Sequence, residues 1–553
     1  MLPTSAVPPD PYDVPPPFWQ RHADYVAAAA VFVLTVALAV VSFPPFKMPE
    51  FAYAMLTPGI YWAYRRPRLK LYGWTMFAAQ AVAWTIILGW LRHVTWGGLL
   101  LLGPLVGAWI GSWYLAAWWT MPRLLGRPTP VRLLALVGLA AAWVLIEWTR
   151  TWLLGGFPWL PLAASQWERA SILQVAAYTG AYGVSFVLVA VNIGFAAYGH
   201  RLLREGATGL RKRSQEFFLA MFLLIVCLTV HVQETFNRAR YTVPLGRVAF
   251  VQPYIPQEVK WDPAKGPGIL DTLEATTLEA GATKPDLILW PEAVLPWAVN
   301  ANAELKAFVE SLVARTQSSL LFGSIALENI GKADERWFNG AFVATPGAGL
   351  RKDYYAKRQL VPFGEYVPLR PVLGWLKKFV PIGDDDFSRG LDSAPLIVPV
   401  HGQTAVFGPL ICYEDVFPDL ARASALGGAD VLAVLTNDGW YGEGGAAWQH
   451  AAHSVLRAVE TRRPVLRCGN GGWSGWIDEF GNVRETVTNK AGRIYFRGTR
   501  VISLTRDQRW IGHASYYTEH GDWFVLACAG LLLLAGAVLA VERRDEAKTV
   551  PGD

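Results

Sequence analysis

Eight apolar runs of membrane-crossing length constrain this chain more than any other feature in it. A helix needs about 20 consecutive, mostly apolar residues to cross the hydrocarbon core of a bilayer. Such runs occupy 25–43, 49–64, 71–90, 97–120, 133–149, 172–198 and 216–233, and a final one, WFVLACAGLLLLAGAVLAV at 523–541, carries no charge at all. The run at 25–43 reads as a span and not as a cleaved leader, because it has no basic flank beyond Arg21 and further spans follow. The polar, proline-rich stretch 1–24 ahead of it reads as a flexible lead. Composition agrees: 53% of the 553 residues are hydrophobic and 17% are charged, against about 25% charged in soluble domains. A purely soluble or disordered chain is excluded. The 26 Trp residues suit membrane–water interfaces, where an amphipathic ring can sit half wet.

The basic residues are distributed by loop. Arg65, Arg66, Arg68 and Lys70 share one loop, Arg123, Arg127 and Arg132 a second, and Arg201, Arg204, Arg211, Lys212 and Arg213 a third; Arg543, Arg544 and Lys548 lie in the tail. The intervening short loops hold only Lys47, Arg92, Arg150 and Arg169. Loops rich in Lys and Arg stay in the cytoplasm, which places both termini inside and the long segment 240–520 outside, in the periplasm of a bacterium. The net charge of +6 is thus a topology signal and not a nucleic-acid footprint. The expected organisation is a membrane domain of about seven spans over 25–233, an outer catalytic domain over 240–520, a last span at 523–541 and a cytoplasmic tail at 542–553. Four cysteines are too few for a disulfide scaffold. Cys227 and Cys528 lie in apolar runs, leaving Cys412 and Cys468 for aqueous chemistry.

The outer segment changes character. Short β-rich runs appear: GRVAFVQ (246–252), DLILW (286–290), SLLFGSIAL (319–327), FNGAFVAT (338–345), TAVFGPLI (404–411), DVLAVLTN (430–437) and PVLRC (464–468). Between them, Leu305, Phe308, Val309, Leu312 and Val313 fall on one face of a helix. Strands alternating with amphipathic helices predict an α/β domain.

Three of its residues could carry chemistry. Glu292 follows a strand closed by Trp290 and Pro291, at the carboxyl end where α/β sheets bind ligands. Lys357 precedes the aromatic segment RQLVPFGEYVPL, and Cys412 follows a strand directly. A thiolate is the nucleophile of cysteine chemistry, a carboxylate can take the thiol proton, and an ammonium can stabilise an oxyanion. Spacing alone does not bring the three together. His450 and His453, three apart with no third ligand, make a poor metal site, and neither metal nor cofactor is expected. Cys468 reads as core, and Glu147 with Arg150 as an i, i+3 pair near a span's outer end.

WPE at 290–292, Lys357 before LVPFGEYVP, and CYE at 412–414 resemble the nitrilase (carbon–nitrogen hydrolase) superfamily. With spans before and after, the whole chain looks like the apolipoprotein N-acyltransferase family. IPQEVKW ending at Trp261, FNG with Asn339, EWTRTWLLGGFPW, TNDGWYG and the helix through His450 fit as well. The resemblance implies an α-β-β-α sandwich joined to a multi-span helical membrane domain. It implies a Glu292–Lys357–Cys412 triad in which Glu292 is the base, Cys412 the nucleophile and Lys357 an oxyanion donor beside the backbone N–H after the nucleophile. Glu365, Tyr413 and Glu414 would support the triad; Trp261, at a substrate-gating position, and Asn339 would face substrate. The implied reaction moves the sn-1 acyl chain of a phospholipid, phosphatidylethanolamine being the expected donor, through a thioester to the N-terminal amine of a diacylglyceryl-cysteine apolipoprotein. The expected enzyme is a monomer of the bacterial inner membrane. The rival reading is a membrane-tethered amidase or nitrilase that gives its acyl group to water; a third is a transporter or lipid-binding protein with an inactive domain. Two stretches depart from the family pattern: 467–481, with Cys468, Trp473 and Trp476, and 482–522.

Reporter fusions at Gly281 and at the C-terminus test the topology. They are expected to report opposite compartments, with Gly281 outside; a cytoplasmic signal at Gly281 overturns the assignment.

Overall fold

The computed structural model describes residues 22–204, 214–368, 370–375 and 386–549. Most of the proline-rich lead, the loop holding Arg211, Lys212 and Arg213, and the last four residues lie outside the described residues.

Among the described residues, six helices are long and apolar enough to cross a membrane: Ala23–Val41, Trp96–Leu124, Thr129–Thr149, Ala181–Leu203, Gln215–Tyr241 and Trp523–Val541. The helices used below are α1 (Ala23–Val41), α2 (Thr57–Ala63), α3 (Leu69–Ile87), α4 (Thr129–Thr149), α5 (Ala181–Arg204) and α6 (Gln215–Tyr241). The expected run at 49–64 is not one helix. It is a 3-10 turn, Pro49–Tyr53, followed by the seven-residue α2. Pro49 and Pro58 stand at the start of their pieces, where a missing N–H costs nothing. Asn192 of α5, wholly buried, repairs the break between them. Its Oδ1 accepts from the backbone of Leu56 at 2.8 Å and Thr57 at 3.2 Å, and its Nδ2 donates to Ala52 O at 2.8 Å. Broken backbone survives at membrane depth only where protein groups satisfy it in this way.

The run at 172–198 also starts differently. Two single turns, Ala170–Leu173 and Ala176–Thr179, precede α5, and Gly180 joins them with φ of +68°. A Cβ at Gly180 would also stand 2.8 Å from the Tyr517 ring, so both conformation and space require glycine.

The loops form two sets. Arg66 donates to Pro122 O and Trp118 to Pro67 O, while Arg132 and Arg201 both reach Glu216. The other set, around Pro44, Trp90 and Trp159, touches the α/β domain. Helices α3 and α4 each run from a loop of the first set to one of the second.

Helix α6 runs to Tyr241 and passes directly into β1 (Thr242–Gln252). β2 (Leu287–Leu289), β3 (Leu295–Ala298), β4 (Ser319–Glu328), β5 (Arg336–Thr345) and β6 (Gly349–Ala356) share its sheet. A second sheet holds β7 (Leu396–Val400), β8 (Gln403–Ile411), β9 (Val431–Thr436), β10 (Val465–Gly469), β11 (Gly475–Ile477) and β12 (Val483–Thr486), in the order β12-β11-β10-β9-β8-β7. β13 (Gly498–Asp507) returns to the first sheet beside β1, giving the order β13-β1-β2-β4-β5-β6 with β3 also on β4. The period-2 alternation of strand side chains sorts the core. Val248, Phe250, Leu287, Leu289 and Leu321 of the first sheet meet Phe407, Ile411, Val431 and Leu435 of the second. Ala249, Val251, Ile288 and Phe322 turn the other way, onto α7 (Gly266–Gly281) and α8 (Ala303–Thr316). Outside the second sheet lie α9 (Pro418–Leu426) and α10 (Ala446–Thr461), giving the expected α-β-β-α sandwich. The residues 482–522 complete it through β12 and β13.

Asn192→Leu removes the repair between the turn and α2. Leaving buried backbone donors unpaired costs on the order of 1–3 kcal/mol each, so the thermal midpoint of the full chain in detergent is expected to fall by several degrees. An unchanged midpoint would show that the break does not depend on Asn192.

Candidate active site

Cys412 directly follows β8 with φ of +52°, in the left-handed region, and begins a single 3-10 turn, Cys412–Val416. A non-glycine residue persists in that region only when its surroundings hold it, and Glu414 does the holding. Its wholly buried carboxylate accepts from Ile411 N at 2.7 Å, the Tyr355 hydroxyl at 2.7 Å, Arg358 N at 2.6 Å and Gln359 N at 3.1 Å. The Cys412 turn and the segment after β6 are thereby tied to one side chain. Burial pushes the Glu414 carboxyl upward, against these donors.

Glu292 lies just past β2. Its loop rests against Gly323 of β4, where a Cβ would meet Ala293 N and Pro291 O at 2.6 Å. Lys357 follows β6, its N–H bound to Asn339 O at 2.8 Å. The Lys357 ammonium, 1% exposed, stands 3.3 Å from Glu292 Oε1 and 2.9 Å from Glu365 Oε1. Asn339 Nδ2 donates to the same two carboxylates, at 2.8 and 3.1 Å. Glu365 is fixed in turn by Val361 N at 2.8 Å. Five residues expected from the sequence, Glu292, Asn339, Lys357, Glu365 and Glu414, are therefore brought together around or beside Cys412.

Burial works against the Lys357 charge, but Glu365 and Glu292 outweigh it and hold its pKa above the usual lysine value. Burial pushes the Cys412 thiol up to about 12, and the Glu292 carboxylate adds to that, while Lys357 and a hydrogen bond with Thr436 pull it back. Cys412 at rest is thus a thiol at neutral pH. A thiolate forms only by handing its proton to a neighbouring base, and the Glu292 carboxylate shares its surroundings.

Tyr413 turns away from the carboxylates. Its hydroxyl donates to Gly156 O at 3.3 Å and its ring lies 6.4 Å from that of Phe157, both in the loop after α4. Glu147 and Arg150, expected to pair, spend hydrogen bonds on that same loop, at Leu162 N and Trp159 O. The Trp261 ring is 47% exposed, and what it faces is Lys260, whose Nζ lies 5.7 Å from the ring centre. Cys468 is buried core, its thiol directed at Val251 O and Leu289 O.

Sequence reasoning missed two groups. Lys260, 2% exposed, donates to Glu292 O at 3.1 Å; it was hidden beside the more conspicuous Trp261. Behind Cys412, His450 stands 2.9 Å from Asp415 and 3.0 Å from Asp438, and 3.2 Å from Cys412 O. Arg467 joins both aspartates, at 2.8 and 3.3 Å. Burial and Arg467 oppose the His450 charge, but the aspartates outweigh them and raise its pKa. The aspartates lie in CYED and NDG, within motifs already noted, but no spacing rule couples them to His450 or Arg467.

Residues 36–194 match the apolipoprotein N-acyltransferase N-terminal domain and residues 247–507 the carbon–nitrogen hydrolase domain. The apolipoprotein N-acyltransferase of Geobacter metallireducens is 31% identical over 539 residues, covering 94% of this chain and 96% of that one. The chain belongs to the apolipoprotein N-acyltransferase family. The member from Azotobacter vinelandii is 31% identical, covering 78% of each chain. Among solved structures, an amidase from Nesterenkonia sp. is 18% identical, covering 48% of this chain and 92% of that one with a TM-score of 0.34. Membership in the apolipoprotein N-acyltransferase family makes the chain an acyltransferase.

The double role of the Asn339 amide makes it testable. Asn339→Asp sets a third carboxylate against Glu292 and Glu365, and like charges at this distance force one of them to take up a proton. Initial rates of acyl transfer at neutral pH are expected to fall by on the order of 100-fold, about two pKa units of perturbation, and further than in Asn339→Ala. Equal rates in the two variants would show that the amide does not buffer the carboxylates.

Proposed function

We propose that the chain moves the sn-1 acyl chain of a phospholipid, phosphatidylethanolamine in the first instance, onto the α-amine of an S-diacylglyceryl-cysteine at an apolipoprotein's N-terminus. It works as a monomer in the bacterial inner membrane, with the α/β domain in the periplasm. The observation that carries this reading is the buried Glu292–Lys357–Glu365–Asn339 cluster beside Cys412, in a domain docked directly on membrane-domain loops.

The geometry supports these steps. Glu292 takes the Cys412 proton and the thiolate attacks the ester carbonyl. Lys357 and the Tyr413 N–H receive the oxyanion. Collapse breaks the ester C–O bond; the lysophospholipid alkoxide leaves with the proton held on Glu292, and a thioester remains on Cys412. The acceptor amine then attacks that carbonyl and gives its proton to Glu292. The second collapse expels the Cys412 thiolate, which regains that proton, and leaves an amide. Glu365 and Asn339 hold Lys357 and Glu292 in place, Glu414 holds the nucleophile turn, Tyr413 anchors it to the loop after α4, and Trp261 lies at the rim to meet substrate. A dry site slows hydrolysis of the thioester. The same residues would serve a hydrolase with water as acceptor; the membrane domain favours acceptors that are themselves lipid-anchored.

With phospholipid alone, about one equivalent of lysophospholipid per enzyme is expected, followed by sustained turnover when a diacylglyceryl-cysteine peptide is added, the pattern of a ping-pong transfer. The Cys412 peptide should carry the acyl mass. Cys412→Ala should lose both steps, Glu292→Gln and Lys357→Met should lose on the order of 100- to 1000-fold, and Cys468→Ser should stay active. Sustained release of free fatty acid without acceptor, unchanged by the peptide, would identify a tethered hydrolase instead.

A further inference from the structure

The charges gathered on Lys357 do not balance among themselves. Glu292 and Glu365 are two carboxylates, and both contact the single ammonium of Lys357. Burying an ion without a counter-ion is costly, and the cost falls on whichever group must next become negative. Here that group is Cys412, which has to become a thiolate, and then the oxyanion of the substrate.

A second cation is present. Lys260 ends the turn Gln257–Lys260, and its side chain is 2% exposed. A lysine is almost never fully buried unless paired. Its Nζ donates to the main-chain oxygen of Glu292 at 3.1 Å, which holds the loop whose next residue, Ala293, has φ of +40°. The groups whose charge acts on Lys260 are the Glu292 carboxylate and the Cys412 sulfur, both favouring the ammonium against burial, which brings it down to about 8. An interaction between two charges acts equally on both, so the ammonium also favours the Cys412 thiolate. With Lys260 charged, two carboxylates face two ammonium groups, and proton transfer from Cys412 to Glu292 leaves the total unchanged.

We propose that Lys260 is a positioning residue of the acyl-transfer site, which fixes the Glu292 loop through the main-chain oxygen and supplies the second positive charge that lets Cys412 give up its proton. This rests on the catalytic reading of Cys412, Glu292 and Lys357. It assigns Lys260 a role separate from that of its exposed neighbour Trp261, which meets solvent and substrate.

The test is the rate of Cys412 alkylation by iodoacetamide from pH 6 to 10 on the full chain in detergent, read by mass spectrometry of the Cys412 peptide. Three variants separate charge from hydrogen bonding. Lys260→Arg keeps the charge, Lys260→Gln keeps a donor without the charge, and Lys260→Met keeps neither. Lys260→Gln and Lys260→Met are expected to react about tenfold more slowly than the wild type below pH 8, where Lys260 is charged, with the gap closing toward pH 10 as that charge is lost; Lys260→Arg is expected to follow the wild type at low pH and keep its rate advantage at high pH. Thermal midpoints measured alongside identify a variant that is misfolded, and any one of the neutral variants that folds is sufficient. A wild-type profile in Lys260→Gln would overturn the proposed charge effect. If wild-type Cys412 reacted no faster than Cys412 in Lys357→Met, the catalytic reading itself would fall, and the role of Lys260 with it.

Discussion

The contact on which the rest depends is made by Gln449. This side chain, 2% exposed on α10, makes four hydrogen bonds, all to the membrane domain. Its Oε1 accepts from Trp90 and Trp159, each at 3.0 Å, and its Nε2 donates to Pro44 O at 3.0 Å and Ile87 O at 2.9 Å. Every donor and acceptor the amide has is thereby used. One turn further on, His453 accepts from Leu160 N at 3.1 Å. The neighbouring His450 faces the opposite task, lying beneath Cys412 between two aspartates. A helix that is buried nearly all round belongs to a core, and α10 is core to both halves at once: of its sixteen residues only Trp448 escapes full burial. The α/β domain is therefore not an appendage on a membrane anchor. The membrane loops pack against the same helix whose His450 lies beneath Cys412.

The site itself is an arrangement of opposed charges in a dry place. Burial alone makes a thiol a poor acid and a lysine a poor cation. Glu365 and Glu292 reverse this for Lys357, whereas Cys412 remains a thiol at rest. The chemistry proposed for it is conditional: Cys412 becomes a thiolate when its proton moves to a neighbouring carboxylate, with both groups buried. Glu414, with four donors on one carboxylate, keeps the strained turn and the lysine segment in register while this happens.

The same economy of buried polar groups shapes the membrane half. At sixteen residues the 49–64 run is short for a span, but nothing within it says where the backbone breaks, because proline is tolerated at a helix start. The break exists because Asn192, more than a hundred residues later, supplies what the backbone lacks. A polar residue inside a span is costly unless it is paired, and here the two irregularities pair with each other.

What the chain determined by itself was local or periodic. Hydropathy marked most of the spans, alternation marked the strands, and the motifs around Glu292, Lys357 and Cys412 marked the candidate site residues and, through resemblance, the family. Each of these signals lies within a few residues of sequence. What only the tertiary structure decided were pairings between distant segments: Asn339 between two carboxylates, Glu414 bridging the nucleophile and the lysine, Lys260 at the Glu292 carbonyl, Arg467 between two aspartates, and Gln449 in four membrane-domain contacts. A polar side chain in a sequence carries its hydrogen-bonding capacity but not the address of its partner. Burial then requires that a partner be found, and which one it is depends on how the sheets, the helix layer and the membrane loops close on one another.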